Sequence, residues 1–252
     1  MSPIRLPSPN DQFVIKPSNL CQEAFAEFGD VVENPAPSLV PSPHLKELPS
    51  GAVLGNQGSA LVYGDITRFK NLYDSAPSQV RSKTAVRMFV CAPRPLLRVQ
   101  DNNSLEGSLR LTILERHPYT SQTFIPLGLS AAEVNETRYL VIVAPTLPQS
   151  LADESLPVPS GKDLPGRGLP DLANIQAFIA KGSQAVTYGP GTWHAPMIVV
   201  GKKPVSFVVA QFLNGVGLED CQEADWEAAN GKGITVAVPK NAWSEGLWTS
   251  KL

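Results

Sequence analysis

Proline is the feature that most limits what this chain can become. It has 24 prolines and 19 glycines, together 43 of its 252 residues. A proline inside a helix removes a backbone donor and collides with the preceding turn. That density excludes a helical bundle, a coiled coil or a helical solenoid. The apolar share of 42% still supplies a sizeable core and excludes disorder of the whole chain. What remains is short extended runs separated by turns.

Those runs are Ala52–Leu54, Leu61–Tyr63, Ala85–Cys91, Leu96–Val99, Ser108–Glu115, Thr123–Leu127, Arg138–Val143, Gln184–Tyr188, Ile198–Val200, Val205–Phe212 and Ile234–Val238. Each is bounded by Gly, Pro, Asn or Asp. They predict an all-β antiparallel sandwich or barrel with one or two short helices. One helix is expected where Phe25 and Phe28 share a face. A longer one is expected from the stripe Leu172, Ile175, Phe178 and Ile179, with Asp171 as N-cap and Gly182 just past the end. Prolines crowd residues 35–50 and 145–170. Both segments read as excursions on a single domain spanning residues 1–252, the second as a surface loop or lid.

Net charge is −2 and no basic block stands out, which argues against nucleic-acid or anionic-membrane partners and for a small molecule. No run of apolar residues is long enough to span a membrane, and the first ten residues lack the apolar core of a signal peptide. Three cysteines, Cys21, Cys91 and Cys221, fit no zinc spacing and read as buried structural thiols. The terminal Ser250-Lys251-Leu252 reads as a receptor-read peroxisomal address, against the alternative of a chance tail, so the peroxisomal import receptor is an expected partner.

Chemistry concentrates in two segments. In Leu109-Arg110-Leu111-Thr112-Ile113-Leu114-Glu115-Arg116-His117, a continuous strand would put Leu109, Leu111, Ile113, Glu115 and His117 on one face. An inward apolar row would then end in an acid and an imidazole at a cavity mouth. Desolvation there raises the pKa of a carboxyl group and lowers that of an imidazole, as acid–base work requires. If the strand instead stops at Leu114, both groups are solvated. Gln122 opens the next apolar strand and faces the same cavity. In Tyr188-Gly189-Pro190-Gly191-Thr192-Trp193-His194, the tight turn presents an aromatic wall and a second imidazole.

The two segments resemble the cupin double motif, with Glu115 in place of the first histidine and Gln122 in place of the glutamate. Glu115-Arg116-His117-Pro118 followed by Ser121-Gln122-Thr123-Phe124-Ile125-Pro126-Leu127 is more closely similar to the ureidoglycolate lyase pattern E-R-H-P-x-x-S-Q-A-F-I-P-L. Phe28-Gly29-Asp30-Val31-Val32-Glu33, Asn56-Gln57-Gly58, Met88-Phe89 with Pro93-Arg94, and Gly191-Thr192-Trp193-His194 with Pro196 follow in that family's order. The resemblance runs from about residue 25 to residue 213.

It implies a cupin-like barrel, a homodimer, and elimination of urea from ureidoglycolate to give glyoxylate. His117 or His194 would be the base and Glu115 the acid, or the reverse. Ser121 and Gln122 would bind substrate oxygens, and Trp193 and Tyr188 would close the pocket. Arg116, Arg94 and Arg138 are the candidates for holding the substrate carboxylate. Arg116 has the parity to point away, and a subunit contact is its alternative role. Glu115, His117, Gln122 and His194 could together hold a divalent metal ion through N and O donors. Two other readings stand beside this one: amide hydrolysis of the same substrate, which would need an activated water, and a cupin-type binding module without turnover.

Overall fold

The computed structural model describes residues 2–9, 11–99, 102–151, 153–162, 164, 166–228 and 233–240. The Ser250-Lys251-Leu252 address lies outside them.

Strands dominate. A central sheet runs in the order β1 (Ile4–Arg5), β17 (Gln222–Asp225), β9 (Ile113–Arg116), β14 (Trp193–His194), β11 (Arg138–Ala144), β12 (Gln176–Lys181) and β3 (Ser18–Asn19), with β15 (Ile198–Val200) also paired to β11. A second sheet is β4 (Gly29–Val32), β13 (Ala185–Tyr188), β10 (Gln122–Leu127), β16 (Val205–Leu213) and β7 (Lys83–Cys91). A third is β2 (Gln12–Ile15), β18 (Gly233–Pro239) and β8 (Leu105–Leu111), and β5 (Ala52–Gly55) with β6 (Ala60–Tyr63) forms a hairpin. Three short helices are α1 (Gln22–Phe25), α2 (Ala131–Glu136) and α3 (Gly217–Asp220).

The central sheet is apolar on both sides, and alternation along β11 shows why. Leu140, Ile142 and Ala144 enter one core with Val236 and Val238 of β18. Tyr139, Val141 and Val143 enter a second core with Phe124 of β10, Val186 of β13 and Phe207 of β16. Successive strand residues face opposite sides, so a strand buried on both faces needs an unbroken apolar run, as in Tyr-Leu-Val-Ile-Val-Ala. The result is an all-β, cupin-like sandwich whose middle layer is shared.

This two-sided burial overturns the longer predicted helix. Asp171 does cap a turn, accepting from Ala173 N at 3.0 Å, but the turn is a single 3-10 one, Leu172–Asn174. From Gln176 the chain is β12, paired to β11 along its whole length. Ala177, Phe178, Ile179 and Ala180 are all buried, alternating between the two cores. A run apolar on every side mimicked a helical stripe. Gly182 therefore follows a strand.

Leu96–Val99 forms no strand, only an isolated bridge from Leu97 to Ser108. The expected Ser108–Glu115 strand is two strands, β8 and β9, interrupted at Thr112. The shorter helical expectation corresponds to α1, with Phe25 and Phe28 both buried and their ring centroids 5.9 Å apart. Cys21 is exposed and Cys91 and Cys221 are half-buried, so the buried-thiol expectation fails.

Gly29 begins β4 at φ +151°, and a Cβ there would collide with the carbonyl oxygen of Thr187 across the ladder. Gly29→Ala should cost about 3 kcal/mol or more, since backbone strain and a rigid clash coincide. Urea unfolding should show a markedly lower midpoint than for Gly215→Ala, where φ is +83° but nothing lies within 4 Å.

Candidate active site

The interruption at Thr112 builds the site. Leu109, Leu111 and Leu114 all pack in the first core, so parity inverts across Thr112, whose carbonyl accepts from Trp226 N at 3.0 Å. Leu114 and Arg116 then face the first core, while Glu115 and His117 face the second. The expected row from Leu109 to His117 does not exist, yet its last two members still share a face. In the central sheet, Glu115 pairs with both His194 of β14 and Glu223 of β17.

The Gly189-Pro190-Gly191 turn is tied directly to His117. Gly191, at φ +79°, donates its N–H to His117 O at 2.9 Å, and Thr192 N donates to Gly189 O at 3.1 Å. The turn so brings the two imidazoles to 5.5 Å between ring centroids. One ligand atom from each of Glu115, His117 and His194 lies within 4.8 Å of the others.

Each imidazole is fixed through Nδ1. His117 Nδ1–H donates to Asp220 O at 2.6 Å and His194 Nδ1–H to Thr192 O at 2.9 Å. A neutral ring that donates from Nδ1 carries its lone pair on Nε2. His117 Nε2 is buried and has no hydrogen-bond partner among the described residues. His194 Nε2 lies 3.6 Å from Glu115 Oε1 and 3.2 Å from the Gln122 side chain.

Gln122 is in turn bonded to Gln211 at 2.7 Å. An amide pair of this kind can turn its NH2 toward a lone pair, which satisfies a neutral His194. Tyr188 stacks on His194 at 4.0 Å and 12°, and its hydroxyl is also buried without a partner.

The electrostatics separate acid from base. Burial raises the pKa of Glu115 above the usual carboxylate range; His117 nearby opposes this and Glu223 reinforces it. Burial, with His117 adding to it, lowers that of His194 to about 3, against a smaller upward pull from the Thr192 carbonyl. Glu115 so tends to hold its proton while His194 stays neutral, an arrangement in which two groups can divide proton donation and acceptance.

Other predicted residues fall elsewhere. Arg116 is fully buried, donating to Gln222 Oε1 (2.9 Å), Gly168 O (2.8 Å) and Arg167 O (3.2 Å), with its guanidinium 4.5 Å over the Trp193 ring. It therefore makes no subunit contact; it holds the 145–170 loop to the sheet. Trp193 also faces the first core, donating to Gly168 O, and is no wall of the site.

Ser121 has the opposite parity to Gln122 and accepts from Lys70 N at 2.9 Å on the outer side. Arg138 is bonded to Glu106 and Pro239 O. Arg94 donates its backbone N–H to Val199 O, beside Tyr139, four residues along β11 from the partner of His194 and so about 13 Å away.

Sequence reasoning missed Gln211, Cys221 and Glu223. The Cys221 thiol is 4.0 Å from Glu115 Oε2 and is pushed up to about 12, by burial first and then by the neighbouring acids. Gln211 and Glu223 lie on β16 and β17, and Cys221 lies between α3 and β17; no local pattern announces their pairing to the site.

A family model described as ureidoglycolate lyase matches residues 12–230. The chain belongs to the ureidoglycolate lyase family. It is 32% identical over 209 residues to a ureidoglycolate lyase of Schizosaccharomyces pombe, covering 83% of this chain and 90% of that one. With the Saccharomyces cerevisiae ureidoglycolate lyase it shares 36% over 186 residues, 73% and 77% of the two chains. A ureidoglycolate lyase of Pseudomonas aeruginosa is 30% identical over 209 residues, 83% of this chain and 88% of that one.

Because the folded His194 ionises near 3 and the unfolded one near its ordinary value, the unfolded chain binds the extra proton between those limits. Stability from this group is complete above about pH 6.5 and is lost as pH falls toward 3, by up to about 1.4 kcal/mol per pH unit. Glu115, shifted upward, contributes with the opposite sign in both proteins compared. Urea midpoints from pH 7 to pH 4 should therefore fall more steeply for the unaltered protein than for His194→Asn; equal slopes would contradict the buried neutral imidazole.

Proposed function

We propose that this protein eliminates urea from ureidoglycolate, giving glyoxylate, by acid–base catalysis at Glu115, His117 and His194. The observation that carries the mechanism is the cluster itself: one donor atom from each of Glu115, His117 and His194 lies within 4.8 Å of the others, His117 Nε2 has no partner among the described residues, and burial displaces Glu115 toward the proton-bearing form. The substrate carbon bears a hydroxyl, a carboxylate and a ureido nitrogen. His117 Nε2, with its unshared lone pair, accepts the hydroxyl proton as the C=O bond forms. The C–N bond breaks, and Glu115 delivers its proton to the leaving nitrogen. The proton on His117 then returns to Glu115, so the cycle takes up no net proton. Tyr188 and the fully enclosed His194 exclude water from the breaking bond, which disfavours amide hydrolysis.

A second reading of the same residues rests on the two fixed rings. Both Nδ1 atoms are held by backbone carbonyls, His194 Nε2 lies 3.6 Å from the Glu115 carboxylate, and one donor atom of His117 lies within 4.8 Å of both, a donor set that suits a divalent ion. Glu115, His117 and His194 would hold it, and when bound it would polarise the substrate's oxygens. Gln122, whose side chain lies 3.2 Å from His194 Nε2, is a further oxygen donor beside this set.

His117→Ala and Glu115→Gln should each lower turnover by about 10²–10⁴-fold, the usual contribution of a placed acid or base. Urea and ammonia are measured in the same incubation, with and without chelator. Urea unaffected by chelator supports acid–base catalysis alone. Loss of activity on chelation and recovery with added metal supports the second reading. Ammonia as the nitrogen product, or turnover unchanged in both variants, overturns the proposal.

We also propose a homodimer formed through the outer face of the second sheet. Val86, Met88 and Val90 of β7 and Ile125 and Leu127 of β10 share that face and are exposed. A contiguous apolar patch of this kind marks an interaction surface, and β7 leaves one edge of its sheet unpaired. Sedimentation should give a dimer for the unaltered chain and a monomer for Met88→Glu. A monomer in both would refute the interface.

A further inference from the structure

An anionic substrate needs a cation, and the three arginines suggested by sequence are all committed or distant. The strands enclosing the second core can be searched completely. On β9, β11 and β12 the cations Arg116, Arg138 and Lys181 share parity with Leu114, Leu140 and Ile179 and so face the first core. β4, β10, β13, β14, β16 and β17 carry no lysine or arginine. Only β7 places cations on the inner face: Lys83 and Arg87.

The register fixes that face. Arg87 pairs with Val209, which pairs with Phe124, and both are buried in the second core. Phe89, two residues on, meets Phe124 edge-on at 5.7 Å, which confirms the direction. Two residues the other way, Ala85 pairs with Gln211, the partner of Gln122 beside His194. Arg87 is thus one side-chain row, about 7 Å along the strand, and two strands, about 10 Å, across the sheet from Gln122, which touches His194; an extended arginine side chain and the length of the substrate can span that gap. Lys83 stands a row beyond Ala85, opposite Leu213, where the chain turns away. Arg87 is exposed, and among the described residues its side chain has no ion pair or hydrogen bond. The facing wall of the central sheet offers the carboxyl groups of Glu115 and Glu223. One wall is acidic and the other carries a free guanidinium.

We propose that Arg87 binds the substrate carboxylate and so sets specificity for carboxylate-bearing carbinolamides; this rests on the ureidoglycolate reading above. The planar fork of arginine can hold both carboxylate oxygens while the ureido N–H groups face the acids. The carboxylate takes no part in bond breaking. Its capture orients the hydroxyl toward His117 and the leaving nitrogen toward Glu115.

The test compares two substrates with one reactive centre. N-(hydroxymethyl)urea is the same carbinolamide without the carboxylate. Arg87→Met should lower kcat/KM for ureidoglycolate by at least about 30-fold, mainly through KM, and leave N-(hydroxymethyl)urea within about twofold. Arg87→Lys should fall between, keeping the charge and losing the fork. An equal fall on both substrates, or none on ureidoglycolate, overturns the assignment. If even the unaltered protein fails to turn over ureidoglycolate, the reaction reading fails separately. Calorimetry with oxalurate, an unreactive ureido carboxylate, then decides for Arg87. The expected result is at least about tenfold weaker binding in Arg87→Met; equal binding, or no binding to either protein, refutes the proposal.

Discussion

Asp220 O and Thr192 O each accept a hydrogen bond from an imidazole Nδ1, and through these two bonds the backbone decides what the side chains can do. A carbonyl oxygen cannot become a donor, so each neutral ring must keep its proton on Nδ1 and expose its lone pair on Nε2. The His194 lone pair faces Glu115 at 3.6 Å, and His117 stands beside both in a volume too enclosed to favour charge. Burial shifts the carboxyl group of Glu115 toward its proton-bearing form and keeps the imidazole of His194 toward the neutral one. Burial is the largest cause of both shifts, and neighbouring charges adjust them.

These bonds depend on the layers around them. Thr192 O is placed by a turn that is itself hydrogen-bonded to His117, and Asp220 O comes from the end of α3, held by Tyr73 through the Asp220 carboxylate at 2.7 Å. Behind the site, Arg116 and Trp193 lock the 145–170 loop against the first core. A buried guanidinium with three donated bonds and a ring beneath it is costly to disturb, which suits a support more than a substrate contact. The middle sheet thus carries structure on one face and chemistry on the other.

Much of this was legible in sequence, for identifiable reasons. Short apolar runs between prolines and glycines marked most strands, and Glu115-Arg116-His117 with Gly191-Thr192-Trp193-His194 marked the site. Alternation correctly turned Arg116 away from His117 but placed Leu109 and Glu115 together wrongly, because the break at Thr112 has no turn residue to announce it. The stripe at Leu172–Ile179 misled for a different reason: a strand covered on both faces is apolar at every position, and any period can be found in it. Ser121 and Trp193 were drawn into the site by adjacency to Gln122 and His194, whereas in a strand adjacency means the opposite face. Gln211, Glu223 and Arg87 could not be found locally, since long-range pairing alone brings them to the site.

The proton inventory of the cluster can be read directly. With only three histidines in the chain, long-range 15N–1H spectra resolve each imidazole's tautomer and charge. At pH 5, well above the value near 3 to which burial lowers it, His194 should remain neutral with its proton on Nδ1 and an unprotonated Nε2. An imidazolium signature for His194 at that pH, or a proton on Nε2, would contradict the buried, neutral imidazole cluster in which the proposed reaction takes place.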